Sequence, residues 1–107
     1  MLSLTRIMIA SDDSIFTRAL SSAIESSAEL SITGIYTSGD GLTDIILREQ
    51  PDALLIDLMI PGNNALSVLK ELHNLPAEQC PVIFILSSFA STHTVAECDR
   101  LGVSFFL

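Results

Sequence analysis

The sequence predicts an α/β fold in which a doubly wound parallel sheet of five strands carries helices on both faces. Short apolar runs alternate with segments of helical apolar spacing along the whole chain of 107 residues. Two of these runs, at 53–56 and 82–86, lack polar residues at alternate positions, which is typical of central parallel strands covered on both faces. Strand and helix units in this order form right-handed crossovers. We therefore expect one domain over 1–107, without an internal linker.

The first half of the chain contains two strand–helix units. A branched apolar run over 6–10 predicts the first strand. The helix after it has the clearest periodicity in the chain. Its apolar residues are Phe16, Ala19, Leu20, Ala23 and Ile24. A second strand is predicted over 30–36, and the next helix follows the glycine-containing turn at 38–41 and ends before Pro51.

The second half contains three more predicted strands and two helices. The apolar run over 53–56 is followed directly by an acid, Asp57, and then by a Pro-Gly-Asn-Asn loop. The helix after that loop has Ala65, Leu66, Leu69 and Leu72 on one face. The run over 82–86 predicts the fourth strand, a weaker helix is expected over 92–101, and residues 103–107 predict a fifth strand.

The composition disfavours several classes of partner. With 13 acidic and 5 basic residues the net charge is −8, so the surface repels phosphate backbones and anionic lipid headgroups. No apolar run approaches the ~20 residues that span a bilayer, and the N-terminus lacks a signal peptide pattern. Cys80 and Cys98 form no CxxC pair, and His73 and His93 complete no zinc spacing, so we expect reduced core thiols and a cytoplasmic protein.

Polar residues follow three of the predicted strands. They are Ser11, Asp12 and Asp13 after the first, Asp57 after the third and Ser87 after the fourth. Ligands of open parallel sheets bind at the carboxyl ends of the strands, so these side chains are candidates for one site. Each could instead be only a helix cap or a turn residue. Clustered carboxylates favour a hard cation such as Mg²⁺, and a carboxylate can itself accept a phosphoryl group.

Other enzyme classes lack their motifs. The sequence has no GxxxxGK[ST] loop, and Gly39-Asp40-Gly41 is a turn and not a GxGxxG fingerprint. It has no GxSxG elbow and no cysteine or serine with an evident histidine partner. Nucleotide hydrolysis, dinucleotide binding and acyl transfer are therefore disfavoured.

The segment 54–61, in which an acid precedes a proline by four positions, resembles the phosphoacceptor strand and loop of the receiver domains of bacterial two-component response regulators. The segment 7–13 resembles the family's first strand and acidic pair, and 86–89 resembles the hydroxyl-bearing end of its fourth strand. The resemblance covers all 107 residues and implies a flavodoxin-like receiver fold. Within the family, 34–36 and 101–104 are similar to receivers of sporulation regulators from spore-forming bacteria.

The resemblance implies a role for each candidate residue. Asp57 would accept a phosphoryl group from a phosphohistidine on a histidine kinase or phosphotransfer protein. Mg²⁺ would be held by Asp12, Asp57 and the main-chain carbonyl of Met59. The hydroxyl of Ser87 would sense the phosphoryl group, and Phe106 would be the aromatic switch residue. Such a domain controls an output, here DNA-binding transcription regulation, and is no enzyme beyond self-phosphorylation and autodephosphorylation.

The chain departs from the family pattern at three places. Ser11 falls where the family has its first acid, so Asp12 becomes the direct metal ligand, with Ser11 or Asp13 as an additional ligand. Ala65 replaces the usual glycine after the phosphoacceptor loop. The family's lysine and final helix would lie beyond Leu107, which implies a C-terminally truncated receiver whose effector domain is not present.

Three alternatives remain open at this level. A pseudo-receiver would keep the fold as a protein-interaction module without phosphorylation, as Ser11 and Ala65 suggest. A metal-dependent phosphatase would use Asp57 as its nucleophile, but Met59 stands where such enzymes have a second acid. Self-association into a homodimer through the face without its final helix is the third.

Overall fold

The sheet contains five parallel strands in the order β2-β1-β3-β4-β5. The computed structural model describes residues 4–87 and 92–107. The strands are β1 (Thr5–Ala10), β2 (Leu30–Tyr36), β3 (Ala53–Asp57), β4 (Val82–Leu86) and β5 (Phe105–Phe106). The helices are α1 (Ser14–Glu25), α2 (Leu42–Glu49), α3 (Ala65–His73) and α4 (Thr92–Arg100), with a 3-10 turn at Ala77–Gln79. The predicted fold class is confirmed, and within the described residues no helix follows β5.

The order of the strands reverses at β1, which lies between β2 and β3. The register pairs Ala10 of β1 with Ile56 of β3, and Asp57 of β3 with Leu86 of β4. The carboxyl ends of these three strands therefore lie side by side. Because such a reversal leaves a crevice between the two adjacent strand ends, it is the expected ligand site of an open α/β sheet.

The larger core lies between the sheet and helices α2, α3 and α4. Alternate strand residues point to this face, as a side-chain period of two requires. The strand residues buried here are Met8, Ala10, Leu54, Ile56, Ile83 and Ile85. The helices contribute Leu42, Ile46, Ala65, Val68, Leu69, Leu72 and Cys98, and Leu101 packs with them directly after α4. This face therefore supplies most of the apolar burial that stabilises the domain.

Among the described helices, α1 is the one that covers the opposite face of the sheet. Ile24 of α1 packs with Ile7, Ile9 and Ala53 of the sheet, and Leu20 is half-buried against them. A groove of about 500 Å³ runs beside α1. It is lined by Leu20, Leu30, Leu55, Val82, Phe84 and Leu107, among others. Helices do cover both faces as predicted, but unequally.

The fifth strand is shorter than the predicted 103–107, because Val103 takes part in the hydrogen bonds that end α4. Gly102 adopts φ +88° and ends the helix. The N–H of Val103 donates to the carbonyl of Cys98 at 3.1 Å, and the N–H of Gly102 donates to that of Asp99 at 3.1 Å. This is a Schellman motif, which satisfies the last carbonyls of the helix. Helix α4 accordingly ends at Arg100, one residue earlier than predicted.

One of the two thiols predicted to lie in the core is fully buried, and both imidazoles lie at the surface. Cys98 is buried, whereas Cys80 is half-buried, and both are free thiols. Desolvation raises the pKa of each thiol above its ordinary value. His73 and His93 are both exposed, near the ends of α3 and α4. None of the described helices has the length and apolar character needed to cross a membrane.

We expect Leu54→Ala to lower the free energy of unfolding by about 2–5 kcal/mol, because it removes a fully buried side chain from the central strand. Ile15→Ala is the control, since Ile15 is 84% exposed and its loss should change stability by less than about 0.5 kcal/mol. Urea unfolding followed by circular dichroism measures both. Equal losses in the two variants would contradict the packing described above.

Candidate functional site

Asp57 is the last residue of β3 and lies half-buried at the carboxyl edge of the sheet. Both oxygens of its carboxylate have hydrogen-bond donors. The N–H of Met59 donates to Oδ1 at 2.9 Å, and the hydroxyl of Ser11 donates to Oδ2 at 3.3 Å. The N–H of Ile60 closes the turn on the Asp57 carbonyl at 3.1 Å. The carboxylate is therefore fixed in orientation by its own loop and by the end of β1.

Ser11 is 1% exposed and connects the end of β1 to Asp57. Its N–H donates to the carbonyl of Tyr36 at 2.9 Å, which continues the pairing of β1 with β2. Its Oγ accepts the N–H of Asp13 at 3.2 Å while donating to Asp57. A neutral hydroxyl thus stands where an acid would place a second negative charge beside Asp57. Ser11 is therefore a direct neighbour of the predicted phosphoacceptor.

The two adjacent acids after Ser11 differ in their surroundings. Asp13 is the N-cap of α1, and its Oδ1 accepts the N–H of Phe16 at 3.0 Å. Asp12 is exposed and has no hydrogen-bond partner among the described residues. Asp13 lines a cavity of about 550 Å³ together with Asp57, whereas Asp12 does not. Of these two acids, Asp13 therefore has a structural role as a helix cap, and Asp12 has none among the described contacts.

Ser87 follows β4 and lines the same cavity as Asp57 and Asp13. The register places Leu86, the residue before it, beside Asp57, and the N–H of Leu58 donates to the carbonyl of Leu86 at 2.9 Å. The N–H of Ser87 donates to the carbonyl of Leu107 at 3.1 Å. The predicted hydroxyl is thereby next to the predicted phosphoacceptor. Its neighbours Ser88 and Phe89, also part of the predicted motif, lie outside the described residues.

Phe106 lies apart from this cavity, on the face of the sheet that α4 covers. It is half-buried against the larger core and pairs with Ile85 in the sheet register. Together with Val95 and Val103 it lines a small cavity of about 100 Å³. Phe105, by contrast, points to the opposite face. The connection from Asp57 to Phe106 therefore runs through the ends of β4 and β5 and not through direct contact.

The possible cation ligands around Asp57 are oxygen atoms, which a hard cation prefers. Asp57 and Asp13 supply carboxylates that line the same cavity, and Asp12 and the Met59 carbonyl are the further ligands predicted from the family resemblance. No group of three or more His, Cys, Asp or Glu side chains in the described ranges is arranged to hold a metal by itself. Mg²⁺ usually takes one or two carboxylates and keeps several waters, so this sparse donor set fits it better than a closed all-protein cage would.

The turn predicted at 38–41 also contacts the loop after Asp57, which the residue pattern does not predict. Asp40 Oδ1 accepts the N–H of Asn63 at 2.7 Å, and the N–H of Gly39 donates to the carbonyl of Pro61 at 2.9 Å. The Ser-Gly-Asp-Gly composition indicated side-chain-to-backbone hydrogen bonding. It did not indicate the partner, which lies 23 residues away in the chain.

The comparisons with known proteins agree on one family. Residues 7–107 match the protein-family model described as response regulator receiver domain. The chain belongs to this family. The solved receiver domain of the response regulator NarL from Mycobacterium tuberculosis superposes with a TM-score of 0.87 at 20% identity, covering 98% of this chain and 83% of that one. The likeness to that structure supports the receiver fold.

Two curated relatives are longer than this receiver. The chain is 34% identical over 103 residues to a protein-glutamate methylesterase/protein-glutamine glutaminase of Treponema pallidum (strain Nichols), covering 94% of this chain and 25% of that protein. It is 28% identical over 101 residues to the transcriptional regulatory protein DesR of Bacillus subtilis (strain 168), covering 94% of this chain and 49% of DesR. The chain thus spans a quarter to a half of these relatives.

We expect Asp13→Ala to lower the free energy of unfolding by about 1 kcal/mol, because it removes the side-chain cap of α1. Asp12→Ala removes the same charge from the adjacent, exposed position and should leave stability nearly unchanged. Thermal unfolding of the two variants and of Asp13→Asn, which keeps an acceptor oxygen, measures the difference. A cap is refuted if Asp12→Ala destabilises the chain as much as Asp13→Ala.

Proposed function

We propose that this receiver is a phosphorylation-controlled switch whose phosphoacceptor is Asp57. The observation that carries the proposal is the carboxylate of Asp57 at the strand-order reversal, where it lines a cavity of about 550 Å³ with Ser87 and Asp13. The donors from Met59 and Ser11 hold this carboxylate at the edge of the sheet. The donor of the phosphoryl group would be a phosphohistidine on a histidine kinase or phosphotransfer protein.

The chemistry is one phosphoryl transfer between two nucleophiles. An oxygen of Asp57 forms a bond to phosphorus as the bond from phosphorus to the histidine nitrogen breaks, and the imidazole leaves with the electron pair of that bond. A bound Mg²⁺, held by Asp12, Asp57 and the Met59 carbonyl, would offset the negative charge of the transferring group. The hydrogen bond from the Met59 N–H orients the attacking carboxylate, because it fixes the position of Oδ1 and so restricts the rotation of the carboxylate group.

Phosphorylation of Asp57 would add negative charge next to Ser87. A phosphoryl group brings about −1.5 to −2 charges and three acceptor oxygens. Ser87 follows β4 and lines the same cavity as Asp57, and its N–H donates to the carbonyl of Leu107, which follows β5. A shift of Ser87 toward the new oxygens would therefore pull on β5 and on Phe106. This supports an output face formed by α4 and β5.

The output would be carried by an effector domain of the native protein. DesR is named a transcriptional regulatory protein and the Treponema relative a methylesterase/glutaminase, so the relatives include two kinds of output. We infer transcription regulation through a DNA-binding effector in the cytoplasm, because the acidic receiver is itself unsuited to bind DNA. From the resemblance of 34–36 and 101–104 to sporulation regulators, we propose sporulation as the process this receiver controls.

A second candidate function is a pseudo-receiver that binds a partner without being phosphorylated. Ser11 favours this candidate, because a buried hydroxyl replaces the acid that would strengthen a cation site. A homodimer through the face covered only by α1 would suit the same candidate. Such a module would keep its partner after Asp57→Asn.

Incubation of the protein with Mg²⁺ and a small phosphodonor such as acetyl phosphate should give one phosphoryl adduct on Asp57. Intact mass and peptide mapping detect the adduct, which should be stable in acid and labile in base. Asp57→Asn should abolish it, and the control Asp44→Asn, at an exposed position of α2, should not. If the folded protein acquires no adduct, the proposed switch is wrong and the pseudo-receiver is favoured.

Ser11→Asp should bind Mg²⁺ about tenfold more tightly than the native chain, because a second carboxylate beside Asp57 adds attraction for the cation. Without Mg²⁺ this variant should melt at a lower temperature, since two like charges then face each other at a buried position. Calorimetric titration and melting curves with and without Mg²⁺ measure both effects. Ser11→Ala is the control, and tighter binding by Ser11→Ala as well would rule out this electrostatic account.

A further inference from the structure

Two loops at the carboxyl edge of the sheet are joined by hydrogen bonds. One is the β2–α2 loop at 37–41, and the other, the Asp57 loop, is residues 58–64 between β3 and α3. Asp40 Oδ1 accepts the N–H of Asn63 at 2.7 Å, and the N–H of Gly39 donates to the carbonyl of Pro61 at 2.9 Å. The hydroxyl of Ser38 donates to the same carbonyl at 3.3 Å. The acceptor on Asp40 is charged, which strengthens its bond relative to a neutral one.

The two loops also approach so closely that side chains would not fit between them. Gly39 is buried, and a Cβ on it would lie 1.8 Å from the carbonyl oxygen of Asn63. Gly62 adopts φ +79°, and a Cβ on it would lie 2.4 Å from Ser38 Oγ and 2.8 Å from the Asp40 carboxylate. The backbones are therefore in direct contact, and the position of the Asp57 loop depends on the β2–α2 loop.

The Asp57 loop carries the groups that surround the phosphoacceptor. Its first residues include Met59, whose N–H binds Asp57 Oδ1, and Ile60, which is 3% exposed and whose N–H binds the Asp57 carbonyl. At its other end Asn64 caps α3 by accepting the N–H of Ser67 at 2.9 Å. The contact with Asp40 lies between these two ends. It therefore restrains the middle of the loop, together with the hydrogen bonds from Gly39 and Ser38 to the Pro61 carbonyl.

We propose that Asp40 is a positioning residue for the Asp57 site. Its carboxylate holds the N–H of Asn63 and thereby fixes the loop that carries the Met59 N–H and carbonyl. Asp40 is exposed, and neither it nor Ser38 lines the cavity at Asp57, so it acts through the loop and not on the phosphoryl group. This inference rests on the proposed phosphorylation of Asp57 and names a residue outside the predicted site.

Three variants test the role of Asp40 in the folded protein. Asp40→Ala removes the acceptor and should slow phosphorylation of Asp57 by small phosphodonors about tenfold, since misplacing a reacting group by an ångström has effects of this order or larger. Asp40→Asn keeps an acceptor oxygen and should recover most of the rate. Asp44→Ala removes the same charge one turn into α2 and should react at the native rate. Melting temperatures confirm that each variant is folded during the assay.

The dependence on Mg²⁺ separates positioning from a general loss of stability. If the loop carries a ligand, the Asp40→Ala defect should be largest at low Mg²⁺ and should diminish as Mg²⁺ is raised. Amide hydrogen exchange gives a readout that needs no phosphorylation. In Asp40→Ala the amide of Met59 should exchange at least about tenfold faster, while that of Leu55 in β3 stays at its native rate.

Each result decides between the two proposals. If the native protein is phosphorylated and Asp40→Ala matches it in rate and in Mg²⁺ dependence, the positioning role is overturned while the switch stands. An Asp40→Asn rate as low as that of Asp40→Ala would also overturn it, because charge and not the hydrogen bond would then be responsible. If no variant is phosphorylated, the switch fails, and an unchanged Met59 exchange rate in Asp40→Ala would overturn the positioning role as well.

Discussion

The reversal of strand order between β1 and β3 is the constraint on which the rest of this domain depends. Because the chain winds in one direction from β1 to β2 and in the other from β3 onward, the first loops after β1 and β3 diverge to opposite faces. A crevice opens between them, and it is flanked by Ser11, which follows β1, and by Asp57, which ends β3. The two helices that begin nearby, α1 and α3, are each capped by a side chain of their own, Asp13 and Asn64. The loops at the site are thereby anchored by helix starts that need no ligand to form.

The pairing of Ser11 with Asp57 gives this site a different electrostatic character from one built on several acids. A hydroxyl can donate to a carboxylate, whereas a second carboxylate would repel it and require a cation to offset the repulsion. The Ser11 hydroxyl therefore stabilises the site in the absence of metal, at the cost of weaker attraction for a cation. The chain retains an exposed acid at Asp12, which no other contact of the described residues occupies. If Mg²⁺ binds as proposed, its affinity would be set by the Asp12 carboxylate in addition to that of Asp57.

Much of this architecture could be predicted from sequence. Each feature that could not be predicted has a physical reason. The apolar runs at β3 and β4 identified the centre of the sheet, because strands buried on both faces tolerate no alternation. Asp57 was identified because it ends such a run. The role of Asp13 stayed ambiguous, since a carboxylate before a helix is equally suited to capping and to metal binding. The bond from Asp40 to Asn63 could not be predicted, because it depends on the tertiary placement of a backbone group that residue patterns do not encode. The shortening of β5 has a local cause, since the Schellman motif at Gly102 uses Val103.

The two aromatic residues of β5 explain how a change at the site can reach a distant surface. Phe105 stacks on Phe84 with ring centroids 4.7 Å apart, on the face that α1 covers, while Phe106 packs on the α4 face. The strand is thus fixed by its side chains on one face and by the Ser87 to Leu107 hydrogen bond at its end. A pull on Ser87 cannot slide β5 freely, because the Phe84 stack resists it. Under the proposed switch we expect such a pull to rotate the end of the strand instead, and Phe106, half-buried beside a small cavity, to be the side chain that responds.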